Sequence, residues 1–272
     1  MRAPGGDEAA LPQLRPPLRL KTWLAPSLPL GLFQALADRI SATLDRPVEL
    51  ASETRWSGPQ PWLDDPFARG EVDVGFLCAP SWTWLASRPS PSIVAVPAMP
   101  VPLDPRSAGK PVYFSDVIVP AGGARSLAAL AGRSWAYNDP CSLSGWFALE
   151  ARVGDIHAYF GDVVQSGSHL RSIAMVAAGE VDGAAIDSTV LGWVLAADPG
   201  LRERIRVVAS LGPHPIQPVV ARAGLGGPTI AAIGAALRTF VPGGGELAAF
   251  GMAGFVEGEP EALAPELLAA VG

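Results

Sequence analysis

Gly179-Glu180-Val181-Asp182-Gly183-Ala184-Ala185-Ile186-Asp187 echoes an earlier stretch of the chain, Gly70-Glu71-Val72-Asp73-Val74-Gly75-Phe76-Leu77-Cys78. Each copy reads as a helix stopped at a glycine, a tight Glu-Val-Asp turn, and a buried strand that delivers one side chain at its carboxyl end. The four shared residues and their matched context are explained by two related α/β lobes. Open α/β sheets bind ligands beyond the carboxyl ends of their strands, so Cys78 and Asp187 stand where a site would form.

Outward from the first copy, residues 18–24 are strand-like, and Phe33, Leu36, Ile40 and Leu44 fall at helical spacing. A short strand at 48–51 leads into the polar loop Glu53-Thr54-Arg55-Trp56-Ser57-Gly58, and Asp64-Asp65-Pro66 has the form of a helix start. Buried strands at 72–77 and 93–96 complete a strand–helix rhythm that predicts parallel α/β sheets. The Pro-rich passage 99–111 is too irregular for a helix or strand and reads as a linker; 211–215 reads as a second one. Between them, 112–119 is a strand with Ser115 and Asp116 in its middle, the mark of an edge, a bend or a cleft-facing position, and 206–210 is another strand. Helices at about 229–240 and 260–271 close the chain. This predicts a flexible segment 1–17, a first lobe of 18–110 plus 213–272, a second lobe of 111–212, and hinges near 99–112 and 210–216.

The second lobe holds two hydroxyl-rich helix starts. Tyr137-Asn138-Asp139-Pro140-Cys141-Ser142-Leu143-Ser144-Gly145-Trp146 runs from a strand through a turn into a helix-like run at 146–153, and Ser166-Gly167-Ser168-His169 repeats the pattern before a helix that ends at Gly179. Serines at such places either cap the helix or turn towards an anion, because the first N–H groups of a helix are unpaired and carry the positive end of its dipole. Two such ends converging at strand tips would hold an anion without lysine or arginine.

Composition narrows the classes. Of 272 residues, 49% are hydrophobic and 17% charged, a balance that supports a packed core in one large or two smaller domains. The net charge of −6 argues against nucleic-acid or anionic-membrane partners. Two cysteines, Cys78 and Cys141, provide no disulfide framework, and His157, His169 and His214 have no zinc spacing. No apolar run is long enough to span a membrane, and the Pro/Gly-rich start contains no signal-peptide core. The chain as written is thus expected to be intracellular, or periplasmic or extracellular if a leader has been removed.

From 18 to about 225 these residues resemble the phosphate/phosphite/phosphonate ABC-transporter substrate-binding proteins of the type 2 periplasmic-binding-protein fold. The resemblance rests on Ala25-Pro26-Ser27, Gly70-Glu71-Val72-Asp73, Tyr113-Phe114-Ser115-Asp116-Val117, the Asn138 to Gly145 stretch, Ser166-Gly167-Ser168-His169, and Gly179-Glu180-Val181-Asp182 through Ile186-Asp187-Ser188. It implies two mainly parallel sheets flanked by helices with a ligand cleft between the lobes, closing on a phosphonate, phosphite or phosphate and handing it to an ABC-transporter permease. It implies that Ser142, Ser144 and Gly145 hold the oxyanion, that Asp187 meets the ligand's substituent, and that Ser166, Ser168 and His169 line the same wall. Ser27, Tyr113, Ser115 and Cys78 join the ligand-lining set. No cofactor, metal or catalytic residue is implied.

Several residues keep two readings. Asp187 caps the following helix or faces the cleft, and His169 caps a first turn or donates to an anion. Cys78 reads as a small buried hydrophobe, whereas Cys141, just before a helix, also fits a reactive thiol. Tryptophans Trp23, Trp56, Trp82 and Trp84 near strand ends suit a larger or flatter ligand, with Trp56 and Trp82, read as loop residues, placed to stack on it. The alternative function is a cytoplasmic enzyme or ligand sensor on the same fold, with Cys78, Cys141, His169 and Asp187 as its acid, base or nucleophile set.

Overall fold

The computed structural model describes residues 15–263, and the expected helix at 260–271 lies largely outside them. The first sheet begins with β1 (Leu18–Thr22), crosses through α1 (Leu30–Leu44) to β2 (Val48–Ser52), and returns to β3 (Val74–Phe76). Leu32, Phe33, Leu36, Ala37 and Ile40 lie on one stripe of α1 and are buried; Asp45, in the left-handed conformation, ends the helix. Then follow α2 (Ala79–Ala86), β4 (Ile93–Ala95) and β5 (Met99–Pro102).

The second sheet begins with β6 (Val112–Pro120) and continues through β7 (Ser134–Tyr137), α3 (Ala148–Val153), α4 (Ile156–Tyr159), β8 (Asp162–Gln165), α5 (His169–Ala178), β9 (Gly183–Asp187), α6 (Ser188–Ala197) and α7 (Leu201–Arg204) to β10 (Ile205–Pro215). The chain then re-enters the first sheet as β11 (Val219–Arg222), followed by α8 (Gly227–Arg238) and β12 (Met252–Val256).

The sheets share one plan. Their orders are β2-β1-β3-β11-β4 and β8-β7-β9-β6-β10, with three parallel strands followed by an antiparallel one contributed after a crossover. The sequence echo falls on equivalent places. Asp73 accepts from Arg19 N at 3.0 Å where β1 begins, and Asp182 accepts from Ser134 N at 3.0 Å where β7 begins. In both lobes, therefore, the aspartate after the Gly-Glu-Val turn ties its own strand to the start of the neighbouring one. Cys78 and Asp187 are the N-cap residues of α2 and α6. No helix among the described residues is long and apolar enough to cross a membrane.

Several local expectations are corrected. Residues 99–102 of the Pro-rich passage form β5, paired antiparallel with β12, which a reading of prolines as turns missed because the partner lies some 150 residues away and supplies the order. Residues 211–215 are the end of β10, bulged where its register against β6 shifts. Ser115 and Asp116 are not at an edge, since β6 lies between β10 and β9. Ser115 donates to Ser144 O at 2.6 Å, and Asp116 takes a two-pronged bond from Arg106 at 2.8 and 2.9 Å. No helix follows Asp64-Asp65-Pro66: Asp65 caps Phe67 N and Ala68 N, but Gly70 at φ +66 turns the chain away after one turn. Trp82 lies in α2 rather than in a loop and packs on the Trp23–Phe67 cluster; Trp84, in the same helix, packs on Phe147.

Candidate functional site

The two serine-rich starts converge. Ser142 is an N-cap whose hydroxyl accepts from Gly145 N at 3.1 Å, and Leu143–Phe147 wind as one π-type turn before α3. Such wide turns put extra backbone beside a site. Ser168 caps α5 by accepting from Arg171 N, leaving His169 as the first helical residue. The two starts meet where Ser144 Oγ and His169 Nε2 lie 3.2 Å apart.

They form one wall of a cavity of about 40 Å³ between the lobes. The second lobe contributes Asn138, Asp139, Ser142, Ser144, Ser168, His169 and Asp187; from the other side come Trp23, Ser27, Trp56, Ser57, Cys78 and Gln217. Among the described residues, four hydrogen bonds cross the cleft. His169 N donates to Ser27 Oγ at 3.2 Å, Ser57 Oγ donates to Asp139 Oδ1 at 3.3 Å, Leu143 N donates to Cys78 Sγ at 3.4 Å, and Gln217 Nε2 donates to Asp187 Oδ2. The lobes are closed on each other.

Among the described residues, no lysine or arginine lines this cavity. Its ionisable groups are dominated by burial, which disfavours charge. Desolvation raises Asp139 and Asp187 to about 6, against bonds from Cys141 N and Thr189 N that hold the ionised forms. Desolvation lowers His169 to about 3, so its ring is neutral, and its Nδ1 has no hydrogen-bond partner. The Cys78 thiol is pushed up to about 12 by burial, and Cys141 is pushed up further for the same reason, so neither is a thiolate. The site can therefore offer hydroxyl and backbone donors together with carboxyl groups that change state near neutral pH.

Of the residues singled out from the sequence, Ser27, Trp56, Cys78, Ser142, Ser144, Ser168, His169 and Asp187 line this cavity. Asp187 combines both of its readings, because one carboxylate oxygen caps Thr189 N at 2.7 Å while the residue also faces the cavity. Five others lie behind the wall. Ser166 Oγ is within 3.0 Å of Tyr137 O and 2.7 Å of Ser172 Oγ, which turns it inward. Tyr113 is fully buried in β6 with its hydroxyl unpartnered, and Ser115 is fully buried under Ser144. Cys141 is fully buried and not in the lining. Gly145 supplies space: a Cβ there would fall 1.8 Å from Asn138 Oδ1.

Asn138, Asp139, Ser57 and Gln217 were not singled out from sequence. Asp139 has the sequence context of a turn residue and Ser57 that of a polar loop. Gln217 had no local signal, since its partner Asp187 is 30 positions away.

Two lobes of one plan, joined by crossovers and closed over a polar cavity at their strand ends, define the class of two-lobed solute-binding proteins. The chain belongs to the family of ABC-transporter periplasmic phosphonate substrate-binding proteins, whose model matches residues 30–263. No curated protein matches the chain in sequence. Among solved structures, the binding protein component of an ABC phosphonate transporter from Pseudomonas aeruginosa superposes with a TM-score of 0.69 at 16% identity, covering 91% of this chain and 82% of that one. PhnD1 from Prochlorococcus marinus, in complex with methylphosphonate, also gives 0.69, at 15% identity, covering 89% and 92%. A Xanthomonas citri protein bound to ATP gives 0.62 at 18% identity, covering 94% of each chain.

Proposed function

We propose that this protein binds a small phosphorus oxyanion, a phosphonate, phosphite or phosphate, and presents it to an ABC-transporter permease. The lobes, 18–110 plus 213–272 and 111–212, close over the ligand by rotation about the crossovers near 99–112 and 210–216. The observation that carries this reading is the meeting of Ser142, Ser144 and His169 at two helix starts on the wall of a closed cavity. Hydroxyl and helix-start donors hold an oxyanion without a fixed cation, so release needs no salt bridge to break. The cavity of about 40 Å³ suits a compact head group, with Trp23 and Trp56 beside it for an apolar substituent. The methylphosphonate complex of the Prochlorococcus protein supports the same ligand class.

Calorimetry with methylphosphonate, phosphite and phosphate tests the reading. Binding of at least one, weakened about a hundredfold or more by Ser142→Ala plus Ser144→Ala, is the expected result. No binding to any of the three, or unchanged binding to the double variant, overturns it.

A further inference from the structure

His169 is hydrogen-bonded to a hydroxyl of each lobe. Its backbone N–H donates to Ser27 Oγ of the first lobe at 3.2 Å, and its ring Nε2 lies 3.2 Å from Ser144 Oγ of the second. Both serines line the cavity. What Ser144 can offer a ligand turns on where the imidazole carries its proton, because a neutral ring has one N–H and one bare nitrogen. Burial keeps this ring neutral. Either tautomer can bond to Ser144 through Nε2, so the difference lies at Nδ1, which is buried and has no partner. A proton on Nδ1 would be an orphaned N–H, and buried N–H groups without an acceptor are rare in folded proteins. The proton therefore belongs on Nε2, which donates to Ser144 Oγ.

A hydroxyl that accepts from an N–H keeps its own proton to give. Ser27 and Ser144 are both in that state, and so is Ser142, whose hydroxyl accepts from Gly145 N. Among the described residues Ser144 Oγ has no second hydrogen-bond partner; the Tyr113 hydroxyl is a neighbour but makes no hydrogen bond. We propose that His169 is a positioning residue, which through its backbone N–H and its Nε2–H commits one hydroxyl from each lobe, Ser27 and Ser144, to donate to the ligand. The proposal rests on the oxyanion reading given above and adds how hydroxyls are held in the donating state without a cation behind them. The bond to Ser27 crosses the cleft, so this donor is set only when the lobes are closed.

Ring nitrogen chemical shifts of the wild-type protein read the tautomer directly, with the His169 signals assigned by their loss in His169→Gln. A protonated Nε2 and a bare Nδ1 are expected from about pH 6 to about pH 8, without and with methylphosphonate. A protonated Nδ1 overturns the proposal and leaves the oxyanion reading standing. Calorimetry with methylphosphonate, phosphite and phosphate supplies the second arm. His169→Met, which has similar reach and no donor, should weaken binding about tenfold or more, and His169→Gln, whose amide nitrogen reaches the Nε2 position, should restore most of it. In a Ser144→Ala background His169→Met should cost little more, since the hydroxyl it serves is gone. Fully additive losses mean that His169 meets the ligand itself, and they overturn the proposal, as does an equal loss in the Gln and Met variants. Failure of the wild type to bind any of the three ligands removes the oxyanion reading and this proposal with it. If His169→Met does not fold, the ring shifts and His169→Gln decide the matter.

Discussion

Gln217, on the segment returning to the first sheet, donates from Nε2 to Oδ2 of Asp187 at the carboxyl end of the second sheet. Both residues are more than nine-tenths buried. The bond joins the crossover to the cleft wall, so closing the lobes and completing the hydrogen bonds of Asp187 are one event. Gln217→Ala is expected to leave that carboxylate short of a partner, at about 1–3 kcal/mol. Ligand affinity should fall about tenfold or more by calorimetry. Unchanged affinity would show that the contact plays no part in closure.

Asp139 and Asp187 set a pH dependence of the closed, ligand-free form. Both are raised by burial to about 6 from the ordinary carboxyl value of 3.8, so the folded protein holds these protons more tightly than the unfolded chain does. Their contribution is fully present below the unfolded value and is lost as pH rises through about 6. Thermal unfolding should therefore show a lower Tm at mildly alkaline than at mildly acidic pH, with an upper bound of about 3 kcal/mol per carboxyl. Asp139→Asn and Asp187→Asn should each flatten the profile. A Tm that rises through this window in the wild type would contradict the assignment.

At the acid end, Asp73 works in the opposite direction. Burial alone would raise its carboxyl, but hydrogen bonds from the Arg19 side chain and backbone and from Arg222 outweigh this and hold it below the usual value. Its stabilisation is present above the unfolded value and lost as pH falls through the lowered one. Asp73→Ala leaves Arg19 N–H without its acceptor at the start of β1 and should cost about 2–4 kcal/mol. Denaturant titration should find it more damaging than Asp182→Ala, whose carboxylate holds only Ser134 N and Oγ.

Gly254 is fixed by backbone as well as by space. It has φ +151, and a Cβ would approach Phe240 O to 2.2 Å, where the end of α8 meets β12. Neither obstacle is a flexible side chain, so Gly254→Ala should lower stability by about 3 kcal/mol or more in denaturant unfolding. It should also loosen the β12–β5 pair that runs beside the first crossover. A near-wild-type unfolding midpoint would show that this backbone yields.

Much of this molecule could be read locally. The Gly-Glu-Val-Asp echo identified two related lobes because the turn, the strand and the aspartate that ties neighbouring strands act within a few residues of one another. Ser142, Ser144, Ser168 and His169 were legible as helix starts because capping is short-range chemistry. Other features were not. Pro-rich β5 became a strand through β12, far along the chain, and Trp82 was drawn into α2 away from the cleft.

The two hydroxyl-rich helix starts and the strand-end positions of Cys78 and Asp187 were thus determined by the sequence itself, since periodicity, caps and turns depend on near neighbours. The tertiary structure alone decided which of these groups face the cavity, that Ser166, Tyr113 and Ser115 stand behind it, and that Asn138, Asp139, Ser57 and Gln217 belong to it. Those assignments depend on closing one lobe over the other, which brings together residues far apart in the chain. Burial in the closed cleft then shifts the carboxyl groups to where they titrate.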